Sequence, residues 1–172
     1  MNFLEFLFKK HKINIWNIGD KINPIQLTTH TGQEFVFNTK TCSKLLIFFF
    51  PNAWSDTSQE QILAMDRNYN RFLRFNIIPV CITTDTIASI KKWAKALSLQ
   101  HIKILSDFWP HGYVTNSFGL LNRQRGCPDK YFVLIDDNLL LLLKNKIEQS
   151  NDFDINDIFN FLNDKYREEN EA

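Results

Sequence analysis

Residues 45–58 read Leu45-Leu46-Ile47-Phe48-Phe49-Phe50-Pro51-Asn52-Ala53-Trp54-Ser55-Asp56-Thr57-Ser58. The first six are all apolar and three are aromatic, the pattern of a strand buried on both faces; a strand with one wet face would alternate. Pro51 has no amide hydrogen to continue a ladder and ends the strand. Beyond it, Ile62, Met65, Tyr69, Phe72 and Leu73 recur at helical spacing, which predicts a helix over residues 58–74. Thr57-Ser58-Gln59-Glu60 has the form of a capping box with Thr57 as N-cap, and this places Ser58 in the first helical turn.

Working outward, residues 77–82 read as the next buried strand, followed by a helix through Trp93 and Leu97 capped by Asp85. Strand, helix and strand make a parallel crossover unit. Upstream, residues 25–29 and 33–37 are short strands around the turn Thr31-Gly32, a β-hairpin signal. Downstream, residues 102–105 form a short strand, and residues 131–135 and 139–143 form two more, joined at Asp136-Asp137-Asn138. A closing helix capped around Asp154 buries Ile155, Ile158, Phe159 and Leu162. The order β-β-β-α-β-α-β-β-α predicts an α/β fold, a mixed central sheet with helices on both faces. No repeat or linker divides the sequence, so a single domain is expected over residues 1–172. Its core spans about residues 18–162, with an N-terminal helix over 1–12 and a frayed polar tail over 166–172.

Composition narrows the functions. Twenty basic residues against 19 acidic ones, a net charge of +1, give no electrostatic footprint for nucleic acid. The four histidines and three cysteines are scattered, without C-x-x-C or H-x-x-x-H spacing, so no metal and no cofactor is expected. An odd number of widely spaced cysteines fits a reducing compartment. The apolar runs at 45–50 and 139–143 are too short to span a bilayer, and MNFLEFLFKKHK reverses the order of a secretory signal. A cytoplasmic or organelle-matrix location is expected. Phe3, Leu4, Phe6 and Leu7 read first as a docking helix, and second as an amphipathic helix that contacts a membrane or partner.

Two stretches carry a resemblance. Residues 49–58 are similar to the active-site loop of the peroxiredoxin (AhpC/TSA) family, whose pattern is Pro-x-x-x-Thr/Ser-x-x-Cys. Pro51 and Ser55 fit it, and Ser58 stands in the cysteine slot. Leu105-Ser106-Asp107-Phe108-Trp109-Pro110-His111-Gly112 resembles the corresponding segment of the one-cysteine AhpE type, and Lys130 falls where the family places an arginine. The resemblance runs from about residue 18 to residue 162. It implies a thioredoxin-like fold with an N-terminal hairpin, which the residue patterns suggest independently. For partners it implies a hydroperoxide and a thiol reductant where the protein is active, and a homodimer or another protein as binding partner.

The chemistry this implies is open to physical argument. A thiol at a helix N-terminus beside a guanidinium becomes a thiolate, attacks a peroxide oxygen and is left as a sulfenic acid for another thiol to reduce. By resemblance Pro51 shields such a site, Ser55 hydrogen-bonds the peroxide, and the cation polarises the O–O bond. A serine hydroxyl without a base is a weak nucleophile and has no sulfenic acid stage. Lysine at 130 keeps the charge but lacks the planar fork. Cys127, three residues before Lys130, is a candidate substitute thiol; Cys81 reads as a core residue and Cys42 as a loop residue. Trp54 and Trp109 read either as aromatic walls of a binding pocket or as packed residues, and His111 as a structural hydrogen-bonding residue. Three readings stay open: a family member without peroxidase activity that serves as a binding or interaction module, a thiol peroxidase whose cysteine was exchanged for serine, and thiol chemistry relocated to Cys127.

Overall fold

A computed structural model describes residues 15–148 and 154–171, with side chains of the last helix described through Asp164. The expected N-terminal helix over 1–12 and the contact by residues 3–7 lie outside the described residues. Strands β1 (Ile25–Thr29) and β2 (Glu34–Phe37) form the hairpin, and β3 (Lys44–Phe49) follows. Then come α1 (Asp56–Arg67), α2 (Tyr69–Arg74), β4 (Ile77–Thr83), α3 (Ile87–Ala96), β5 (Lys103–Ser106) and α4 (Tyr113–Ser117). The short pair β6 (Leu121–Asn122) and β7 (Cys127–Pro128), then β8 (Tyr131–Ile135), β9 (Leu141–Lys146) and α5 (Ile155–Glu171) complete the chain.

Seven strands form one mixed sheet in the order β2-β1-β5-β4-β3-β8-β9. β3 lies parallel to β4 and β4 parallel to β5, while β8 pairs antiparallel with β3 on its other edge. β3 feeds two cores. Leu46, Phe48 and Phe50 pack with Ile62 and Met65 of α1, Ile90 and Trp93 of α3 and Phe159 of α5. Leu45, Ile47 and Phe49 point the other way, toward Phe37, Phe118 and Leu139. Residues 45–50 are all at most 1% exposed. That is why the run is continuous: the side chains alternate, but both faces are dry.

Several local expectations are corrected. The helix over 58–74 is two helices, because Asn68 interrupts it: its N–H reaches Ala64 O and Met65 O, and its Nδ2 also donates to Ala64 O at 2.9 Å. The first of them starts earlier, at Asp56, with Ser55 rather than Thr57 at the N-cap, and the N-cap makes no side-chain capping bond. Thr86, not Asp85, caps α3 by accepting the Ser89 N–H. The strand expected from 139 begins at Leu141, since Asp136 Oδ1 accepts the N–H groups of Asn138 and Leu140 and holds both in the turn. Asp154 does sit at the start of α5 and accepts the Asn156 N–H at 2.8 Å; the helix continues to Glu171 through the stretch read as a frayed tail.

The segment 105–112 owes its character to Asp107. Its carboxylate, 1% exposed, accepts from Val114 N, Thr115 N and Thr115 Oγ1, so it ties the end of β5 to α4. Burial pushes the carboxyl pKa up, and those three donors pull it back. Gly112 opens α4 at φ 64, with Leu121 where a Cβ would stand. His111 Nε2 donates to Gly126 O at 2.7 Å, which fixes the loop against the β6-β7 ribbon.

At the junction of β1 and β5, His30 prolongs the pairing: its N–H donates to Ile104 O at 2.7 Å, and its Nδ1 accepts the Ile104 N–H at 3.1 Å. That acceptor exists only on the neutral ring. Burial lowers the His30 pKa from 6.5 and outweighs the hydrogen bonding to the Ile104 backbone, which acts to raise it; the Lys103 charge adds to the lowering. The stability this bond adds is therefore present above the unfolded value and lost as the pH falls through the folded one. Urea unfolding at about pH 7.5 and about pH 5 should show a smaller acid loss for His30→Asn than for the wild type, because an amide oxygen accepts without titrating.

Candidate active site

The residues singled out by sequence divide between a cluster at the C-terminal end of β3 and positions elsewhere. Phe50 N–H donates to Ile82 O, and at Pro51 the ladder stops. Ala53 is buried at 4%, Trp54 turns left-handed at φ 64 with 59% of its surface exposed, and Ser55 leads into α1. Lys130 precedes β8, whose Tyr131 is the register partner of Phe49, so antiparallel pairing delivers Lys130 to the same end of β3. Its Nζ donates to Thr57 Oγ1 at 2.6 Å, and Thr57 Oγ1 lies 3.2 Å from Ser55 Oγ.

Ser58 is the third residue of α1 and is 0% exposed. Its Oγ has no hydrogen-bond partner among the described residues, and neither does the side-chain amide of Gln61, one turn on and 2% exposed. Unpartnered buried polar atoms cost about 1–3 kcal/mol each when they stay dry, so this face of α1 is built at a cost. Among the described residues, no base therefore stands within hydrogen-bonding reach of Ser58. Lys130 has its pKa lowered by burial, with the nearby charge of Glu60 acting in the opposite direction.

Trp109 is 83% exposed; with Trp54, Phe108 and Tyr113 it belongs to the large apolar side chains left at the surface. Neither tryptophan is packed in the core. Cys127 lies in β7 and is partly exposed, Cys81 is buried with its thiol pKa pushed well up by burial and by the Asp66 charge, and Cys42 is exposed. Sequence reasoning missed three participants: Thr57 as the acceptor for Lys130, Gln61 beneath Ser58, and Asp85, which accepts the Ala53 N–H. Gln61 was detectable as a polar residue on the apolar face of α1; Asp85 was read as a helix cap. Among the described residues no group of histidine, cysteine or carboxylate side chains could hold a metal ion, and no helix is long and apolar enough to cross a membrane.

A mixed sheet of this order, with a helix starting from the end of a central parallel strand, makes a thioredoxin-like α/β fold. The chain belongs to the AhpC/TSA family, whose pattern matches residues 18–142. It is similar to alkyl hydroperoxide reductase E of Mycobacterium tuberculosis and of Mycobacterium bovis, 27% identical over 92 residues in each case. The match covers 54% of this chain and 60% of theirs, so the chain spans less than two thirds of these relatives. Among solved structures, the reduced 2-Cys peroxiredoxin of Plasmodium vivax superposes with a TM-score of 0.76 at 17% identity, over 89% of this chain and 98% of that one. The peroxidoxin BcpB of M. tuberculosis gives 0.68 at 22%, over 77% and 86%. At such identities these structures speak for a shared peroxiredoxin fold.

The Lys130–Thr57 bond is testable. A double-mutant cycle of Lys130→Met and Thr57→Val in urea unfolding should give a coupling of about 1 kcal/mol. Because the folded chain releases the Lys130 proton below the ordinary value of 10.5, the unfolded chain binds more protons in that window and stability rises with pH there. The stability of the wild type relative to Lys130→Met should therefore improve between about pH 7 and about pH 10.

Proposed function

We propose that this protein is a peroxiredoxin-fold member in which Ser58 occupies the position of the family's peroxide-reducing cysteine, and that it acts as a binding or interaction module without thiol peroxidase activity. The observation that carries this reading is Ser58 Oγ itself, buried in the first turn of α1 with no base to activate it among the described residues. A neutral serine cannot form the thiolate, and without a sulfur the oxidation ladder has no first step. Ser55 and Lys130 are linked through Thr57 at this helix end, which supports the reading, and Lys130 brings charge without a fork. Alkyl hydroperoxide reduction is the reaction in the relatives' own name, and a thiol reductant is what membership of the family implies. For this chain the exposed aromatics Trp54, Phe108, Trp109 and Tyr113 are the apolar surface an interaction module offers, whether to a second copy or to another protein.

A second reading places thiol chemistry at Cys127, whose partial exposure three residues before Lys130 favours it over Cys81. The two separate in one set of assays. The wild type should reduce hydrogen peroxide with a dithiol donor no faster than its exposed free thiols account for, and saturable turnover that vanishes on Cys127→Ala would establish the second reading instead. Ser58→Cys should introduce a thiol with a lowered pKa that peroxide oxidises faster than Cys42, Cys81 or Cys127. Adding Lys130→Arg should accelerate it further and do nothing on the Ser58 background, a non-additivity that Trp54 fluorescence in stopped flow can follow. An introduced thiol that reacts like a free one, even beside the new arginine, would sink the assignment of Ser58 to the cysteine position.

A further inference from the structure

The turn that launches α1 is held from a different strand. Ala53 N–H donates to Asp85 Oδ2 at 2.5 Å, from two residues past the end of β4. Thr83 Oγ1 lies 3.4 Å from Asp85 Oδ2 and 3.4 Å from Pro51 O, so the loop is gripped at its first and third residues. Asp85 is itself fixed: its carbonyl accepts from Ser106 Oγ of β5 at 2.6 Å, and its N–H points to Thr83 Oγ1 at 3.4 Å. Immediately after Ala53 comes the left-handed Trp54, a conformation that costs a non-glycine residue free energy. Trp54 is 59% exposed, so packing of its ring does not supply that energy.

We infer that Asp85 is a positioning residue of the site. Its carboxylate pins Ala53, forces the reversal at Trp54, and so fixes the direction from which the first turn of α1 brings Thr57 and Ser58 to Lys130. A charge-assisted N–H···O⁻ bond is the strongest tether a backbone amide has in such a place. The inference rests on the proposed function only where thiol chemistry is used to read it out. A competing account gives Asp85 no positional role and lets it act through its negative charge alone.

Backbone amide exchange on the full chain tests the tether directly. Asp85→Ala should speed exchange at residues 53–58 by about tenfold or more while β4 and β5 keep their protection. Asp85→Asn, which retains an acceptor oxygen, should stay near the wild type. Unchanged exchange in Asp85→Ala, or equal disruption by both, overturns the inference; Asp85→Ser, whose hydroxyl falls one atom short, replaces the alanine variant if that one does not fold. The second readout is the pKa of the thiol introduced by Ser58→Cys, followed by thiolate absorbance. Added Asp85→Ala should raise it toward about 8.5, while added Asp85→Asn leaves it in place. A pure charge effect predicts a fall in both, since each removes a negative charge, and that result also overturns the inference. An ordinary pKa with Asp85 intact counts against the assignment of Ser58, and the exchange result then decides for Asp85 alone.

Discussion

β3 is dry on both faces and paired on both edges, parallel to β4 and antiparallel to β8, and every element of the candidate site hangs from its C-terminal end. The parallel edge brings the end of β4, with Thr83 and Asp85, beside the loop that leaves β3. The antiparallel edge brings the start of β8, with Lys130, to the same place. A slip of one residue in either pairing would turn the side chains of β3 into the wrong core. The register is therefore set by apolar packing, and the site inherits its geometry from the register.

This explains why the sequence disclosed the frame more readily than the joints. The run 45–50 can only be a doubly buried strand, and the hairpin around Thr31-Gly32 and the crossover to β4 follow from local pattern. The start of α1 was harder, because Ser55 and Thr57 are both residues that cap helices. Thr57 looked better on local grounds, but its hydroxyl is engaged by Lys130, 73 residues away. Asp85 was misread for the same reason. A carboxylate just before a helix suggests a cap, whereas here its partner is a backbone amide 32 residues upstream, and the cap falls to Thr86. Long-range hydrogen bonds outbid local propensity at these positions, and no window of sequence contains both partners.

The break at Asn68 and the short α4 illustrate the opposite limit. Apolar spacing ran smoothly through Asn68, so periodicity gave no sign of an interruption that the asparagine side chain makes by bonding Ala64 O. For α4, five residues are too few to display a period, and the helix exists because Asp107 collects its first amides from a buried position. In that segment resemblance detected what periodicity could not: the SDFWPHG stretch marked a specific structure before its hydrogen bonds were known.

Charge at the end of α1 gives the proposed function its physical sense. Asp56 aside, the first turn presents backbone amides without a side-chain cap, and Lys130 adds an ammonium whose pKa burial lowers. A thiolate at position 58 would sit among these groups as their counter-ion and draw the Lys130 pKa upward. With serine there, the attraction that remains comes from Glu60, and it does not offset the burial. The hydroxyl of Thr57 accepts from the ammonium and contacts that of Ser55, but neither carries charge, and Ser58 and Gln61 have no side-chain partners among the described residues. Lys130 is thus bonded to a neutral oxygen at the same helix end where buried polar atoms lack partners among the described residues. Under the proposed function this is an anion-stabilising helix end without its anion, which is why the assignment of Ser58 and the state of Lys130 have to be judged together.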